Sequence, residues 1–143
     1  FRQTLRDRFP HLKLIDASGG QGLDAATERR VRKAIDSGQK IAAVYSMGGG
    51  NAAILRALKA LRQNPTCFIG HDLDRENVQL LREGSVTAIL HHDLRQDMRS
   101  ACQHVMSYHK LLPLAAVSPS SSVVVVTPEN IPPEIAMRFA ERR

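Results

Sequence analysis

The chain has 143 residues, 43% of them hydrophobic and 24% charged, which is typical of a globular domain and excludes a disordered chain. No apolar run approaches the roughly 20 residues that a membrane-spanning helix needs, so we expect no membrane partner. The formal net charge is +6, but the basic residues are spread over predicted helix faces without interleaved aromatic residues, which favours solvated faces over a nucleic-acid patch.

Helices and strands alternate along most of the chain. The strands are predicted from short apolar runs, and the helices from apolar residues three or four positions apart. The predicted helices are 1–8, 24–37, 51–61, a helix that is capped by Asp74 and ends at Glu83, and 94–108. The predicted strands are 12–16, 41–46, 66–70, 86–91 and 123–126. Residues 135–143 fit either a short helix or a disordered tail.

This alternation predicts an α/β fold, with a parallel sheet and helices on both faces. We expect residues 1–112 to form one α/β lobe. Residues 113–122 (P-L-A-A-V-S-P-S-S-S) are predicted to be a flexible connector, and residues 123–143 the final strand and the carboxyl-terminal tail. Because the chain begins at Phe1 within a helical pattern, we expect it to be a fragment of a longer protein.

Two cysteines, Cys67 and Cys102, give neither a disulfide framework nor a metal-ligand spacing. Both lie in apolar patterns, so we expect two buried thiols. No Ser or Cys has an obvious base and orienting group. The sequence therefore predicts no catalytic residue, and we expect a protein that is not an enzyme and has no cofactor.

Ligands of parallel α/β folds bind beyond the carboxyl ends of the strands. One such end reads Y-S-M-G-G-G-N at 45–51, where three glycines join a strand to a helix. The run is not G-x-G-x-x-G and no G-K-[ST] follows, so nucleotide binding is disfavoured. Two explanations stay open: a tight turn that needs positive φ, or a close approach of the backbone to a small neutral ligand.

Two further strand ends carry ionisable side chains, H-D-L-D at 71–74 and H-H-D at 91–93. A carboxylate at the position of Asp72 can accept hydrogen bonds from two vicinal hydroxyl groups, whereas Asp74 is expected to be a helix cap. A metal site is conceivable here. However, adjacent histidines in an extended segment point to opposite faces, so we expect no metal.

Two long segments, I-A-A-V-Y-S-M-G-G-G-N-A-A-I-L-R-A-L and C-F-I-G-H-D-L-D-R-E-N-V-Q-L-L-R-E-G-S-V-T-A-I-L-H-H-D, carry a family resemblance. Together they resemble the carboxyl-terminal lobe of the effector domain of LacI-family transcriptional regulators, which share their sugar-binding fold with periplasmic sugar-binding proteins. The resemblance extends to about Pro132 and implies one lobe of a type I periplasmic-binding-protein-like fold. G-G-G-N, I-G-H-D-L and the terminal V-V-V-V-T-P-E-N-I-P resemble the regulators more than the transport proteins.

The resemblance also implies a set of ligand contacts. Asp72 matches the Asp of the family's I-G-[FY]-D segment, which hydrogen-bonds sugar hydroxyls. His92 lies where many members have Gln or another polar ligand contact, and its change of charge would make affinity depend on pH near 6–7. Many members have Asn-Asp where this chain has Met47 and Gly48, and Asn51 is expected to replace the lost amide. The expected ligand-binding residues are Ser46, Met47, Gly48, Gly49, Asn51, Asp72 and His92.

The function implied by the resemblance is sensing of a sugar or sugar-like effector by a LacI-type repressor. Such a regulator is a cytoplasmic homodimer, and it binds operator DNA through a headpiece that is missing from this chain. The alternative is the sugar-binding receptor of an ABC transporter. A Rossmann-like enzyme is a third possibility from another class, but it lacks both a phosphate-binding fingerprint and a catalytic constellation.

Overall fold

The computed structural model describes residues 1–20, 23–35, 38–113 and 121–140. Along them the helices are α1 (Arg2–Arg8), α2 (Asp24–Ala34), α3 (Asn51–Ala60), α4 (Arg75–Arg82), α5 (Leu94–Tyr108) and α6 (Pro133–Ala140). The strands are β1 (Ala43–Tyr45), β2 (Cys67–His71), β3 (Ala88–His91) and β4 (Val124–Val126). The predicted α/β class is confirmed. The chain divides into two compact units, Phe1–Cys67 and Phe68–Arg143.

The first unit is built on the packing of α2 against α3. The buried apolar residues of the two helices are Val31, Ala53, Ala57 and Leu58. Across the exposed rim, the Arg56 guanidinium lies 2.8 Å from Asp24 and 3.4 Å from Glu28. Exposed ion pairs of this kind add little stability, so burial of the aliphatic stripe holds the two helices together.

The last of the three glycines explains why the chain needs glycine before α3. Gly50 is the N-cap residue of that helix and has φ +85°. A Cβ atom built on Gly50 would lie 3.3 Å from Thr27 Oγ1, whereas one on Gly48 would meet open space. Gly48 also lacks a positive φ. The tight-turn explanation therefore holds for Gly50.

The second unit contains a βαβ element followed by an antiparallel strand. β2 and β3 pair in parallel, with Ile69 opposite Ala88 and His71 opposite Leu90. β4 pairs antiparallel with β3, so the sheet of this unit runs in the order β2-β3-β4. Its buried side chains are mostly aliphatic and include Phe68, Val78, Leu81, Val86, Ile89 and Val126. The antiparallel β4 is an addition to the parallel sheet that the alternation predicts.

The predicted strand at 12–16 is wrong. The stretch forms no strand, and its Leu12 and Leu14 side chains are 45% and 37% exposed. Two of its hydrogen bonds are local, since the Leu12 N–H donates to the Phe9 carbonyl and the Asp16 carboxylate accepts from the Ser18 N–H. The Asp16 carboxylate also accepts from the Arg2 side chain of α1. A short apolar run becomes a strand only when a neighbouring strand pairs its backbone N–H and C=O groups. Within the described residues, no strand pairs with 12–16.

The carboxyl-terminal segment is a helix rather than a disordered tail over 133–140. Pro133 is its first residue, a position where the missing N–H costs no hydrogen bond. The proline therefore starts the helix and does not interrupt it. Most of the predicted connector, at 114–120, lies outside the described residues, as do 21–22, 36–37 and 141–143.

The predicted burial of the two cysteines also differs from the structure. Cys67 is partly buried, but Cys102 is exposed. Cys102 belongs to α5, a helix without a buried residue, and the apolar stripe of α5 includes Met98 (63% exposed) and Tyr108 (84% exposed). Helical periodicity marks which residues share a face, but it does not say whether that face is covered.

The two glycines give a matched test of the turn. We expect Gly50→Ala to lower the free energy of unfolding by about 1–2 kcal/mol, because alanine is strained in the left-handed region. Gly48→Ala should leave it nearly unchanged. Chemical denaturation of both variants measures the difference, and equal effects would contradict this account of the turn.

Candidate ligand-binding site

Asp72 follows β2 directly and has a left-handed backbone with φ +63°. Its N–H donates to the Leu90 carbonyl of the neighbouring strand at 3.0 Å, which extends the parallel ladder by one residue. Its side chain is 55% exposed. The turn therefore presents a carboxylate to solvent at the carboxyl end of the strand.

The side chain of Asn77 holds this turn. Its Nδ2 atom donates to the His71 carbonyl at 3.0 Å and to the Asp72 carbonyl at 2.7 Å. The Asn77 N–H donates to the Asp74 carboxylate at 2.8 Å, which confirms Asp74 as the cap of α4. Asn77 is only 3% exposed. A buried amide with two acceptors fixes the turn more firmly than a surface contact would, because breaking it leaves buried polar groups unpaired.

His92 follows β3 and lies beside Asp72, as the strand-end argument predicts. Its Nε2 atom is 3.3 Å from Asp72 Oδ1, and its Nδ1 atom contacts Asp97 Oδ2 on the first turn of α5. The hydrogen bond to Asp97 is the main cause that raises the pKa of His92, with the charges of Asp97 and Asp72 adding to it. The same hydrogen bond is the main cause that lowers the pKa of Asp97.

These shifts set the direction of the pH dependence. A raised pKa means that folding favours the imidazolium form of His92. Its stabilising contribution is therefore complete below the ordinary imidazole pKa and is lost as pH rises through the raised value. The lowered pKa of Asp97 gives a contribution that is lost as pH falls through that value. The sequence predicts that ligand affinity changes with pH near 6–7. Because the pKa of His92 is raised, we expect that change at a higher pH.

The other predicted contact residues lie in the first unit, in the loop between β1 and α3. Met47 is 71% exposed, and Gly48 and Gly49 are also exposed. Ser46 and Asn51 are buried, and the Ser46 hydroxyl donates to the Gly48 carbonyl at 3.3 Å. Within this loop the structure therefore separates an exposed tip from two buried polar side chains at its base.

No group of three or more His, Cys, Asp or Glu side chains in the described ranges is arranged to hold a metal ion. Both ring nitrogens of His92 already face carboxylates, and the Nδ1 atom of its neighbour His91 is buried. His91 and His92 thus have different surroundings, as expected for adjacent residues in an extended segment.

A surface depression of about 1050 Å³ lies elsewhere in the second unit. This depression lies at the end of α5 and in the turn after it. Its lining residues are His104, Val105 and 107–113, and none of them is acidic. It has histidines at 104 and 109 but no carboxylate to accept hydrogen bonds from hydroxyl groups. On chemical grounds the Asp72–His92 pair is the better candidate for a hydroxylated ligand.

Sequence reasoning missed Asn77 and Asp97. A signal for Asn77 was present, because it falls on the same helical stripe as Leu80 and Leu81 and is the polar member of a buried face. Asp97 also had a local signal. His92 directly precedes Asp93, the cap of α5, and Asp97 is the fourth residue of that helix, and side chains at these two positions lie next to each other at a capped helix start.

A family model described as periplasmic binding protein domain matches residues 1–110. The match covers most of the chain, and the chain belongs to this family. No match was found among curated proteins or among solved structures. Members of the family typically bind ligands and do not catalyse reactions. Over the described part of the chain, no helix is long and apolar enough to cross a membrane.

The role of Asn77 can be tested against a neighbour on the same helix. We expect Asn77→Ala to lower the free energy of unfolding by about 1–3 kcal/mol, because two backbone carbonyls lose their donor. Gln79→Ala removes an exposed amide of α4 and should stay within about 0.5 kcal/mol of wild type. Urea denaturation measures both, and equal values would show that Asn77 does not hold the turn.

Proposed function

We propose that this chain is the effector-binding lobe of a LacI-type transcriptional regulator, and that its effector is a sugar or a sugar-like small molecule. One observation carries the proposal. A solvent-open carboxylate, Asp72, contacts an imidazole, His92, at the ends of two parallel strands in a chain of the periplasmic binding protein family. A hydroxyl-rich ligand can donate hydrogen bonds to the carboxylate and accept one from the imidazolium.

Asp72 is the principal polar contact in this proposal. A hydrogen bond to a charged group nets about 1.5–3 kcal/mol, against about 0.5–1.5 kcal/mol for a neutral pair. Because the Asp72 side chain is 55% exposed, a sugar can reach it without opening the turn. His92 supplies the complementary donor.

The loop before α3 is a separate part of the proposal. Its exposed tip, Met47 to Gly49, offers backbone N–H groups next to a helix N-terminus, which favours an oxygen-rich partner. The absence of a side chain at Gly48 and Gly49 lets a ligand approach the backbone. Ser46 and Asn51 lie at the base of the same loop with buried side chains, and the Ser46 hydroxyl donates to the Gly48 carbonyl; both remain predicted contact residues.

The regulator is preferred to other binding proteins because G-G-G-N, I-G-H-D-L and V-V-V-V-T-P-E-N-I-P resemble that subgroup. In a regulator this lobe works in the cytoplasm as part of a homodimer. Operator DNA is bound by a headpiece elsewhere in the polypeptide. Sugar binding shifts the equilibrium between two conformations by the difference in their affinities for the sugar, and no catalytic step is needed.

The second candidate is the sugar-binding receptor of an ABC transporter. The description of the matching family, periplasmic binding protein domain, favours it. The two candidates share the ligand chemistry but differ in what precedes the lobe. Sequencing the encoded polypeptide on its amino-terminal side separates them. A helix-turn-helix segment supports the regulator, and a cleaved signal peptide supports the receptor.

Calorimetry with a monosaccharide panel of D-ribose, D-glucose and D-galactose tests the ligand assignment. For a sugar that binds, we expect Asp72→Asn to weaken affinity about tenfold or more, since the charged acceptor is lost. Asparagine tolerates the left-handed backbone of this position, so the fold should persist.

Asp74→Asn is the matched control. It removes a carboxylate two residues away while keeping a good helix cap, and it should bind as wild type. The ligand assignment is wrong if Asp72→Asn retains full affinity or if the two variants weaken binding equally.

A further inference from the structure

Asp97 contacts His92, which with Asp72 is one of the two predicted ligand-contact residues in the second unit. Its side chain is 24% exposed, compared with 55% for Asp72. His92 stands between the two carboxylates, with Nδ1 on Asp97 and Nε2 facing Asp72. The Asp72 carboxylate is therefore open to a ligand, whereas the Asp97 carboxylate is occupied by its contact with the His92 ring.

The two contacts together fix where the protons of His92 lie. An ionised carboxylate only accepts hydrogen bonds, so a ring nitrogen that contacts one must carry a proton. Nδ1–H therefore donates to Asp97. Nε2 must also carry a proton, because its lone pair would otherwise face the Asp72 oxygen. Both conditions are met by the imidazolium form.

We propose that Asp97 is a positioning residue, which holds the His92 ring by Nδ1 so that Nε2–H and the Asp72 carboxylate form a neighbouring donor and acceptor for one hydroxylated ligand. This inference rests on the proposed function of the site. It adds that the site selects a group that is donor and acceptor at once, as a hydroxyl group is. Ligands that offer only donors, such as ammonium groups, leave Nε2–H unmatched.

The Asp72–His92 contact can be exchanged for ligand contacts at small cost. The two atoms are 3.3 Å apart, and the carboxylate is more than half exposed. Exposed ion pairs of this kind contribute little to stability. A ligand hydroxyl group can therefore accept from Nε2–H in place of Asp72 and donate to Asp72 in place of Nε2–H. The contact to Asp97 stays in place during this exchange and keeps the ring from turning.

The charged groups that face the His92 ring come from two elements. Asp72 faces the ring from the end of β2, and Asp97 faces it from α5. The Ser121 hydroxyl also donates a hydrogen bond to Asp97. Asp93 is next in the chain, but its carboxylate accepts from the Arg95 and Gln96 N–H groups.

When His92 loses its proton, the ring keeps Nδ1–H on Asp97 and presents a lone pair at Nε2. Two acceptors then face the ligand, and affinity for a hydroxyl group falls.

Nitrogen NMR of the histidine rings across a pH titration tests the positioning directly and needs no ligand. The His92 signal is assigned by its loss in His92→Gln. We expect both ring nitrogens of wild type to be protonated at the ordinary imidazole pKa and to lose a proton only at higher pH. In Asp97→Asn, which keeps the size of the side chain but not its charge, the pKa of His92 should fall toward its ordinary value.

Asp93→Asn is the control. It removes a carboxylate adjacent to His92 in sequence, but one that faces the amides of α5. It should leave the His92 titration unchanged, and asparagine preserves the cap. If Asp97→Asn leaves the pKa of His92 unchanged, or if Asp93→Asn lowers it equally, Asp97 does not position the ring.

Calorimetry with the same three monosaccharides, repeated across pH, supplies the ligand arm. Asp97→Asn should weaken binding about tenfold and move the loss of affinity to lower pH, whereas Asp93→Asn should match wild type. His92→Gln keeps a donor that does not titrate and should give a flat profile. A shifted His92 titration without sugar binding would refute the proposed ligand but uphold the positioning. Sugar binding with an unshifted titration would refute the positioning alone.

Discussion

The buried amide of Asn77 is the constraint on which the candidate site of the second unit depends. It donates to the carbonyls of His71 and Asp72, where β2 ends and the chain turns into α4. Asp72 has a left-handed backbone that an aspartate tolerates but does not prefer, so a neighbouring interaction has to hold it there. With the turn fixed, the carboxylate is fixed as well, and the rest of the site is arranged around it.

Parallel pairing of β2 and β3 then brings the second group into place. His71 lies opposite Leu90, and the Asp72 N–H continues the ladder to the Leu90 carbonyl. The residues that follow the two strands must therefore lie side by side, which places His92 next to Asp72. A hydrophobic interior formed by side chains such as Ile89 and Val126 maintains this register. The polar chemistry of the strand ends thus depends on aliphatic packing within the sheet.

Local patterns are sufficient to predict most elements and part of the site. Periodicity locates α3, α4 and α5. The rule for strand ends points to residues 71–74 and 91–93, and the family resemblance then singles out Asp72 and His92. The predicted strand at 12–16 failed because pairing depends on a second segment and not on the run itself. The prediction that Cys102 is buried failed for a related reason, since an apolar stripe on a helix does not show whether another element packs against it. Asp97 was missed because Asp93 was not recognised as the cap of α5, and the contact between His92 and Asp97 depends on where that helix begins.

The central claim is that hydroxylated ligands bind at the strand ends marked by Asp72 and His92. Mapping of amide and histidine-ring chemical shifts while a monosaccharide is added to the chain tests it most directly. The account predicts that the largest changes occur at Asp72, His92 and the residues beside them. Changes centred instead on the depression at 104–113, with Asp72 and His92 unaffected, would contradict it.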